Sequence, residues 1–442
     1  MRVGQVVIDV APLRESRDFR WLFAGRMVSN AGNYVAVTAA NWQVYQLTHS
    51  SLAVGLLTLA DSAGMILGLL AGGLLADRYD RRQVLLAVRL PQAGLAALML
   101  VNSLLARPGL WPIYVLTLGI GLLSGLGSPA ATAVVPALVS SRQLAAAIAL
   151  NSAGGQLGQL AGPAVGGVLI AGPGLAACYG IDAAAFAVFG LAMLMVRPLP
   201  PASQDTRPGL GLRALGQGLK FVRHSPVVGG MLLVDTSAMI FGMPTALFPA
   251  LAAEHFHGGS ATFGLLTAAP GLGAVIGGAT SGWVGQLRRP GVVVIGAGVV
   301  WGGAITAFGL VRSLPWALAC LALAGAGDLI SEVLRNALLQ RYTPDALRGR
   351  VSSLYLAQVN TAPAVGNVEA GAIGQLFSPV VSVVTGGLAC VAGALLLGAL
   401  IPALRHSTLA GPAGPDPAGP RPAGPGPVGP DPDLPQEAAC GA

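Results

Sequence analysis

The chain has 442 residues, 54% hydrophobic and only 10% charged, where soluble domains carry roughly 25% charge. That balance excludes a large water-soluble catalytic domain and puts most of the chain in lipid. At about 20 apolar residues per crossing, the length holds about a dozen membrane spans. The net charge of +7 comes from 24 arginines and one lysine, and Lys220 is followed by Phe221, so the Gly-Lys-Ser/Thr turn of an ATP-driven motor is missing.

Hydropathy over a span-length window predicts helices near 21–46, 52–76, 83–105, 112–138, 143–171 and 175–196. After a polar, proline-containing stretch, six more are predicted near 226–251, 260–286, 291–312, 315–340, 346–375 and 380–403. The expected fold is an all-α membrane protein of twelve transmembrane helices in two six-helix halves, 21–196 and 226–403, joined by a linker at 197–225. Segment 1–20 carries Arg14, Glu15, Arg17, Asp18 and Arg20 without an early apolar run and cleavage site, so the first span is expected to be retained.

Arginines fix the expected orientation. Arg78, Arg81, Arg82, Arg142, Arg197, Arg288, Arg289, Arg341, Arg348 and Arg350 fall on one side of a twelve-span chain, against Arg107 and Arg312 on the other. The first side is cytoplasmic by the positive-inside rule, and an even number of spans puts both termini there. In the linker, Leu212, Leu215, Leu219 and Val222 recur at helical spacing opposite Arg213, Gln217, Lys220 and Arg223. This pattern fits a helix lying on the inner membrane surface or a solvated linker helix equally. The 404–442 tail repeats Ala-Gly-Pro units and is expected to be an extended, disordered cytoplasmic segment.

Charges inside spans are costly and therefore informative. Asp61 and Asp235 are each expected about nine residues into a span, near mid-membrane, where a carboxyl can exchange a proton with whichever side a cavity faces. Both are proton-coupling candidates, as is Glu369; a structural role beside a neighbouring arginine, Asn or Ser is the alternative for each. Arg26, Asn30, Asn33 and Asn41 fall near one face of the first span and are expected to line a cavity. Asp328, Glu332 and Arg335, spaced i, i+4 and i+7, read as an ion network at an inner gate. Asp182, by contrast, reads as a structural helix-end group.

Cys178, Cys320, Cys390 and Cys440 lie far apart with no metal-ligand or disulfide spacing. Glu254 with His255-Phe256-His257 is a short loop expected to bind no metal. No cofactor is implied, and sparse aromatics give no nucleic-acid platform.

Two motifs carry more. Gly73-Leu-Leu-Ala-Asp77-Arg78-Tyr-Asp80-Arg81-Arg82 fills the tight loop after the second span. There Gly73 permits close helix approach, Asp77 can accept from a helix N-terminus, and Arg78, Arg81 and Arg82 can pair with acids to latch an inner gate. Gly158, Gly162, Pro163, Gly166 and Gly167 in the fifth span give close packing plus a bend, the makings of a pivot.

The loop resembles the signature of the major facilitator superfamily, departing at Asp80, where that family commonly has Gly. The fifth-span pattern resembles its proton-driven exporters, although the arginine usual in the fourth span of its drug antiporters is missing. Arg17-Asp18-Phe19-Arg20, Thr48-His49-Ser50, Val227-Val228-Gly229-Gly230, Phe248-Pro249-Ala250-Leu251-Ala252 and Thr343 to Val351 are similar to the branch that exports the siderophore enterobactin. The resemblance covers roughly 14–403. It implies a monomeric secondary transporter in the cytoplasmic membrane, exporting a siderophore-like or amphiphilic small molecule in exchange for protons. Multidrug or macrolide efflux, lysophospholipid transport and nutrient import are the alternatives on the same fold.

Overall fold

In the computed structural model of the protein, which describes residues 9–199, 212–280, 282 and 287–408, several helix starts are set by short polar side chains. A one-turn helix α1 (Ala11–Glu15) leads to Ser16, whose hydroxyl accepts from the Phe19 amide at 3.1 Å and donates to the Leu138 carbonyl at 2.9 Å, opening α2 (Arg17–Thr48). His49 ends α2 in a left-handed conformation, and Ser50 accepts from the Ala53 amide to open α3 (Ser51–Arg78). The Thr48-His49-Ser50 motif is therefore a stop, a reversal and a start in three residues. Asp80 caps α4 (Arg81–Leu104) through the Arg82 amide at 2.8 Å.

Helices α5 (Leu110–Leu138), α6 (Leu144–Ala171) and α7 (Leu175–Leu194) follow, then α8 (Leu212–His224) from the linker and α9 (Pro226–Phe241). A turn at Thr245–Leu247, one-turn α10 (Phe248–Ala250) and a wide turn at Leu251–His255 come next. Then come α11 (Ser260–Thr280), α12 (Pro290–Leu310), α13 (Leu314–Tyr342), α14 (Asp345–Leu376), α15 (Pro379–Leu400) and the single turn α16 (Pro402–Arg405). The described residues contain no strand. Nine segments among them are long and apolar enough to cross a membrane. Helices α2, α6 and α14, with 32, 28 and 32 residues, are as long but less apolar along their length.

Most boundaries lie within a few residues of the sequence expectation. The seventh segment departs from it: instead of one helix over 226–251, α9 stops at Phe241. Pro244 has no amide to donate and disfavours helix at the residue before it, so the chain breaks at Gly242-Met243-Pro244 and restarts. Hydropathy does not register this, because the residues stay apolar across the break. Leu212, Leu215 and Arg213 keep their place in the α8 backbone, but their side chains lie outside the described residues, as do 200–211, most of 281–286 and the whole 409–442 stretch.

Packing follows the glycines. Helices α2 to α7 contact one another chiefly through α3–α5, α2–α7, α4–α7, α2–α6 and α4–α5, and the later helices through α12–α15, α11–α13, α12–α13 and α9–α14. The main contacts between these two sets are α3–α14 and α6–α11. Gly55 faces the Asn367 backbone, Gly371 faces Ser51 and Leu52, and Gly167 meets Ser260 and Gly264. All of these lie toward the ends that carry the α2–α3 and α6–α7 turns. There Trp42 stacks on Phe263 at 5.7 Å and the Tyr45 hydroxyl donates to Glu254 at 2.6 Å, tying α2 to the later helices. Helix α8 lies against α9 and α14.

Candidate functional site

Arg335 is the hub of the later helices. It sits two turns before the end of α13, and its guanidinium is 3.0 Å from Asp235 on α9 and 3.4 Å from Asp328, two turns earlier on the same face of its own helix. Its Nη1 also donates to the Ser331 hydroxyl at 2.7 Å. The other oxygen of Asp235 accepts from the Gln358 amide of α14 at 3.0 Å, and the same amide reaches the Leu232 carbonyl at 3.2 Å. The Arg335 and Asp235 side chains are 5% and 1% exposed. A cavity of about 390 Å³ opens beside them, lined by Asp235, Asp328, Glu332, Tyr355 and Trp301, with Gln159 contributed by α6.

This geometry merges two sequence readings. Asp235 reads there as a proton site and Asp328, Glu332 and Arg335 as a separate gate network; all four line one cavity, and Asp235 is the closest acid to Arg335. Spacing along α13 exposes the shared face of Asp328, Glu332 and Arg335 but says nothing of a partner a hundred residues earlier. Gln358 gives no sequence signal, since an amide in a span is unremarkable until its acceptor is known.

The earlier helices enclose a second cavity of about 370 Å³, lined by Asp61, Asp182, Asn33, Asn41, Tyr34 and Tyr179. An adjoining space of about 200 Å³ shares Asn33, Met65 and Ser124 with it and is lined by Arg26, Asn30 and Arg89. Asp61 and Asn33 line the same cavity, and Arg26 and Asn30 lie beside them. Glu369 lies apart, seven residues before the end of α14, and lines neither acid-bearing cavity.

Asp182 is not the helix-end group that its sequence position suggests. It lies seven residues inside α7, is 1% exposed, and its Oδ1 has no hydrogen-bond partner. Arg89, eight residues into α4, is the other residue that sequence reasoning misses. Its guanidinium lies 4.8 Å from the Phe189 ring centroid and 5.7 Å from that of Phe186, and its Nη1 donates to Gln92 at 2.9 Å. Its Nε is buried without a partner. A positive charge near one end of a span is absorbed into the positive-inside pattern, which hides its depth.

The loop after α3 holds helix ends. Arg82 donates to the Met193 and Leu194 carbonyls at 2.9 and 3.0 Å, at the end of α7, and Arg81 to Ala133 at 3.3 Å, near the end of α5. The Met193 and Leu194 carbonyls lie in the last turn of α7, at the negative end of its dipole, so a guanidinium suits them. Asp80, the departure from the motif, accepts from the Leu199 amide at 2.9 Å while capping α4. Gly73 and Arg78 close the last turns of α3, and the Asp77 side chain lies outside the described residues. On α6, Gly158, Gly162 and Gly166 face Tyr34 and Thr38 of α2, while Gly167 and the Pro163 carbonyl face Gly264 of α11. This small-residue face is where α6 meets both sets of helices.

Two partly polar cavities with fixed charges, enclosed by apolar helices, suit a polar or amphiphilic organic molecule taken from water into the membrane plane. The family described as transmembrane secretion effector matches residues 8–409. The enterobactin exporter of Citrobacter koseri is 35% identical over 401 residues, covering 90% of this chain and 95% of that protein. That of Escherichia coli strain K12 is 34% identical over 404 residues, with the same coverage. Among solved structures, a POT peptide transporter superposes with a TM-score of 0.71 at 14% identity, covering 88% of this chain and 95% of that one. A bacterial homologue of the iron transporter ferroportin, inward-facing, gives 0.65 at 16%, covering 88% and 99%. These likenesses share the helical fold of a multi-pass membrane transporter. The chain belongs to the transmembrane secretion effector family of the major facilitator superfamily, on the branch of the enterobactin exporters.

Proposed function

We propose that the protein is a secondary active exporter of a catecholate, siderophore-like small molecule, working by alternating access and driven by proton entry. The observation that carries the substrate class is the 34–35% identity to enterobactin exporters along nearly the whole of both chains. In this reading the twelve long helices form two six-helix halves, 21–196 and 226–403, related by an axis along the membrane normal. Both termini and the 197–225 linker are cytoplasmic, and the protein acts as a monomer.

The Gly-lined approaches at the α2–α3 and α6–α7 ends support an outer side that is closed, with the cavities reached from the cytoplasm. Substrate enters between the halves, and Asp61, Asp235 and Glu369 are the acids proposed to carry protons inward. Arg335 competes with the proton for Asp235: protonation releases the guanidinium toward Asp328 and Glu332, and deprotonation recaptures it. Gly158, Gly162, Pro163, Gly166 and Gly167 form the pivot. Arg26, Asn30 and Asn33 line the substrate path, and Gly73, Asp77, Arg78, Arg81 and Arg82 form the inner latch.

The reading is tested in an iron-starved host lacking its own catecholate exporter, with secreted and intracellular catecholate measured by mass spectrometry. Expression of the protein should raise the secreted-to-internal ratio at least about tenfold. An unchanged ratio, with the protein verified in the membrane, would remove catecholate export and leave drug or lipid efflux on the same fold.

A further inference from the structure

A third cavity lies outside the transport site. It is a groove of about 660 Å³ between α8, α9 and α14, lined by Leu219, Val222, Leu233 and Leu354, with Arg223 at its mouth and Gln358 in its wall. Leu219 and Leu233 are about half exposed. Along α9 the lining runs from Pro226 to Thr236, about 15 Å at helical rise. That is the hydrocarbon depth of one leaflet, half of a core about 30 Å thick.

Arg223 makes the mouth positive, and Lys220, three residues earlier on the same side of α8, adds its charge without lining the groove. Lys220 and Arg223 are exposed at the end of α8, and neither pairs with an acid among the described residues. Helix α8 is held over the groove by α14, where Gly218 abuts the Arg350 backbone. An apolar slot one leaflet deep beneath unpaired cations matches a lipid chain beneath a phosphate.

We propose that this groove holds one acyl chain of an anionic phospholipid of the cytoplasmic leaflet, with its phosphate at Lys220 and Arg223. The inference rests on the reading that α8 lies at the cytoplasmic face. The lipid has a route to the transport site. Gln358 lines the groove and donates to Asp235 on its other side, so a chain in the groove backs the amide that holds the buried acid.

The test is native mass spectrometry of the purified full-length protein with equimolar phosphatidylglycerol and phosphatidylcholine of matched chains. The wild type should retain one phosphatidylglycerol with a preference of about thirtyfold, the effect of two basic side chains on an anionic headgroup at about 1 kcal/mol each. Lys220→Gln/Arg223→Gln, both exposed positions, should bring the preference close to unity. Leu233→Trp, which places an indole in the groove, should lower retention of both lipids severalfold. Equal retention of the two lipids by the wild type would overturn the proposal. So would a preference that survives the double substitution, or retention that Leu233→Trp leaves unchanged. Binding is read without substrate, so failure here is separate from failure of the export reading.

Discussion

Arg335→Met is expected to destabilise the protein by about 3–5 kcal/mol, the cost of stranding a buried charge whose partner has been removed. Asp235 would keep only the Gln358 amide, in a position where its side chain is 1% exposed. Ser331 and Asp328 would also lose their contacts with the guanidinium. Adding Asp235→Asn should recover a large part of the loss, because a neutral amide can still accept from Gln358 and no longer requires a cation. The check is a double-mutant cycle on the thermal unfolding midpoint in detergent. A loss for Arg335→Met below about 1 kcal/mol, the range of solvated ion pairs, would mean that water in the adjoining cavity hydrates Asp235 and that the pair does not hold α9 to α13.

Gly68→Leu is expected to prevent α3 and α5 from packing. Gly64, Gly68 and Gly72 recur every fourth residue along α3 and face the backbone at Leu118, Leu122 and Leu126. Gly121 and Gly125 of α5 answer them at Asp61 and Met65. A Cβ on Gly68 would run into the Leu122 carbonyl oxygen, which cannot swing aside as a side chain can. Overpacking commonly costs about 1–3 kcal/mol where side chains adjust, so a backbone clash at a helix crossing should exceed about 3 kcal/mol. Gly68→Ala should already lower the unfolding midpoint. Gly303→Ala, with nothing near its Cβ, should leave it unchanged or raise it, by the helix propensity of about 1 kcal/mol. Size-exclusion profiles after graded heating read all three; a wild-type midpoint for Gly68→Ala would show that the helices separate at little cost.

Much of the fold is legible in the sequence because burial in lipid is a one-dimensional requirement. An uncharged run such as 370–404 has to be apolar wherever its neighbours lie, so the helix over Pro379–Leu400 is read to within a few residues. The break at Gly242-Met243-Pro244 escapes because hydropathy is blind to a missing backbone donor. The α3–α5 seam escapes for another reason. Its four-residue glycine spacing is present, but a chain with 63 glycines offers many such spacings, and only the partner backbone identifies the one that matters.

The candidate site divides along the same line. Asp61, Asp235 and Arg26 betray themselves as charges in apolar runs, and the face shared by Asp328, Glu332 and Arg335 follows from helical spacing. The pairing of Asp235 with Arg335 and its amide clamp by Gln358 are tertiary facts with no local trace. Asp182 and Arg89 show how depth misleads. Each is close enough to a predicted span end to pass for an ordinary terminal charge, yet each lines one of two adjoining cavities of the earlier helices.

The most direct test of proton-driven export uses the purified protein in phospholipid vesicles, with accumulation of a catecholate siderophore followed by mass spectrometry across an imposed pH gradient. An acidic lumen should drive accumulation severalfold above vesicles at uniform pH, a protonophore should abolish it, and Asp235→Asn should reduce it to the uniform-pH level. Accumulation that is the same with and without the gradient, in vesicles that contain folded protein, would contradict proton-driven export.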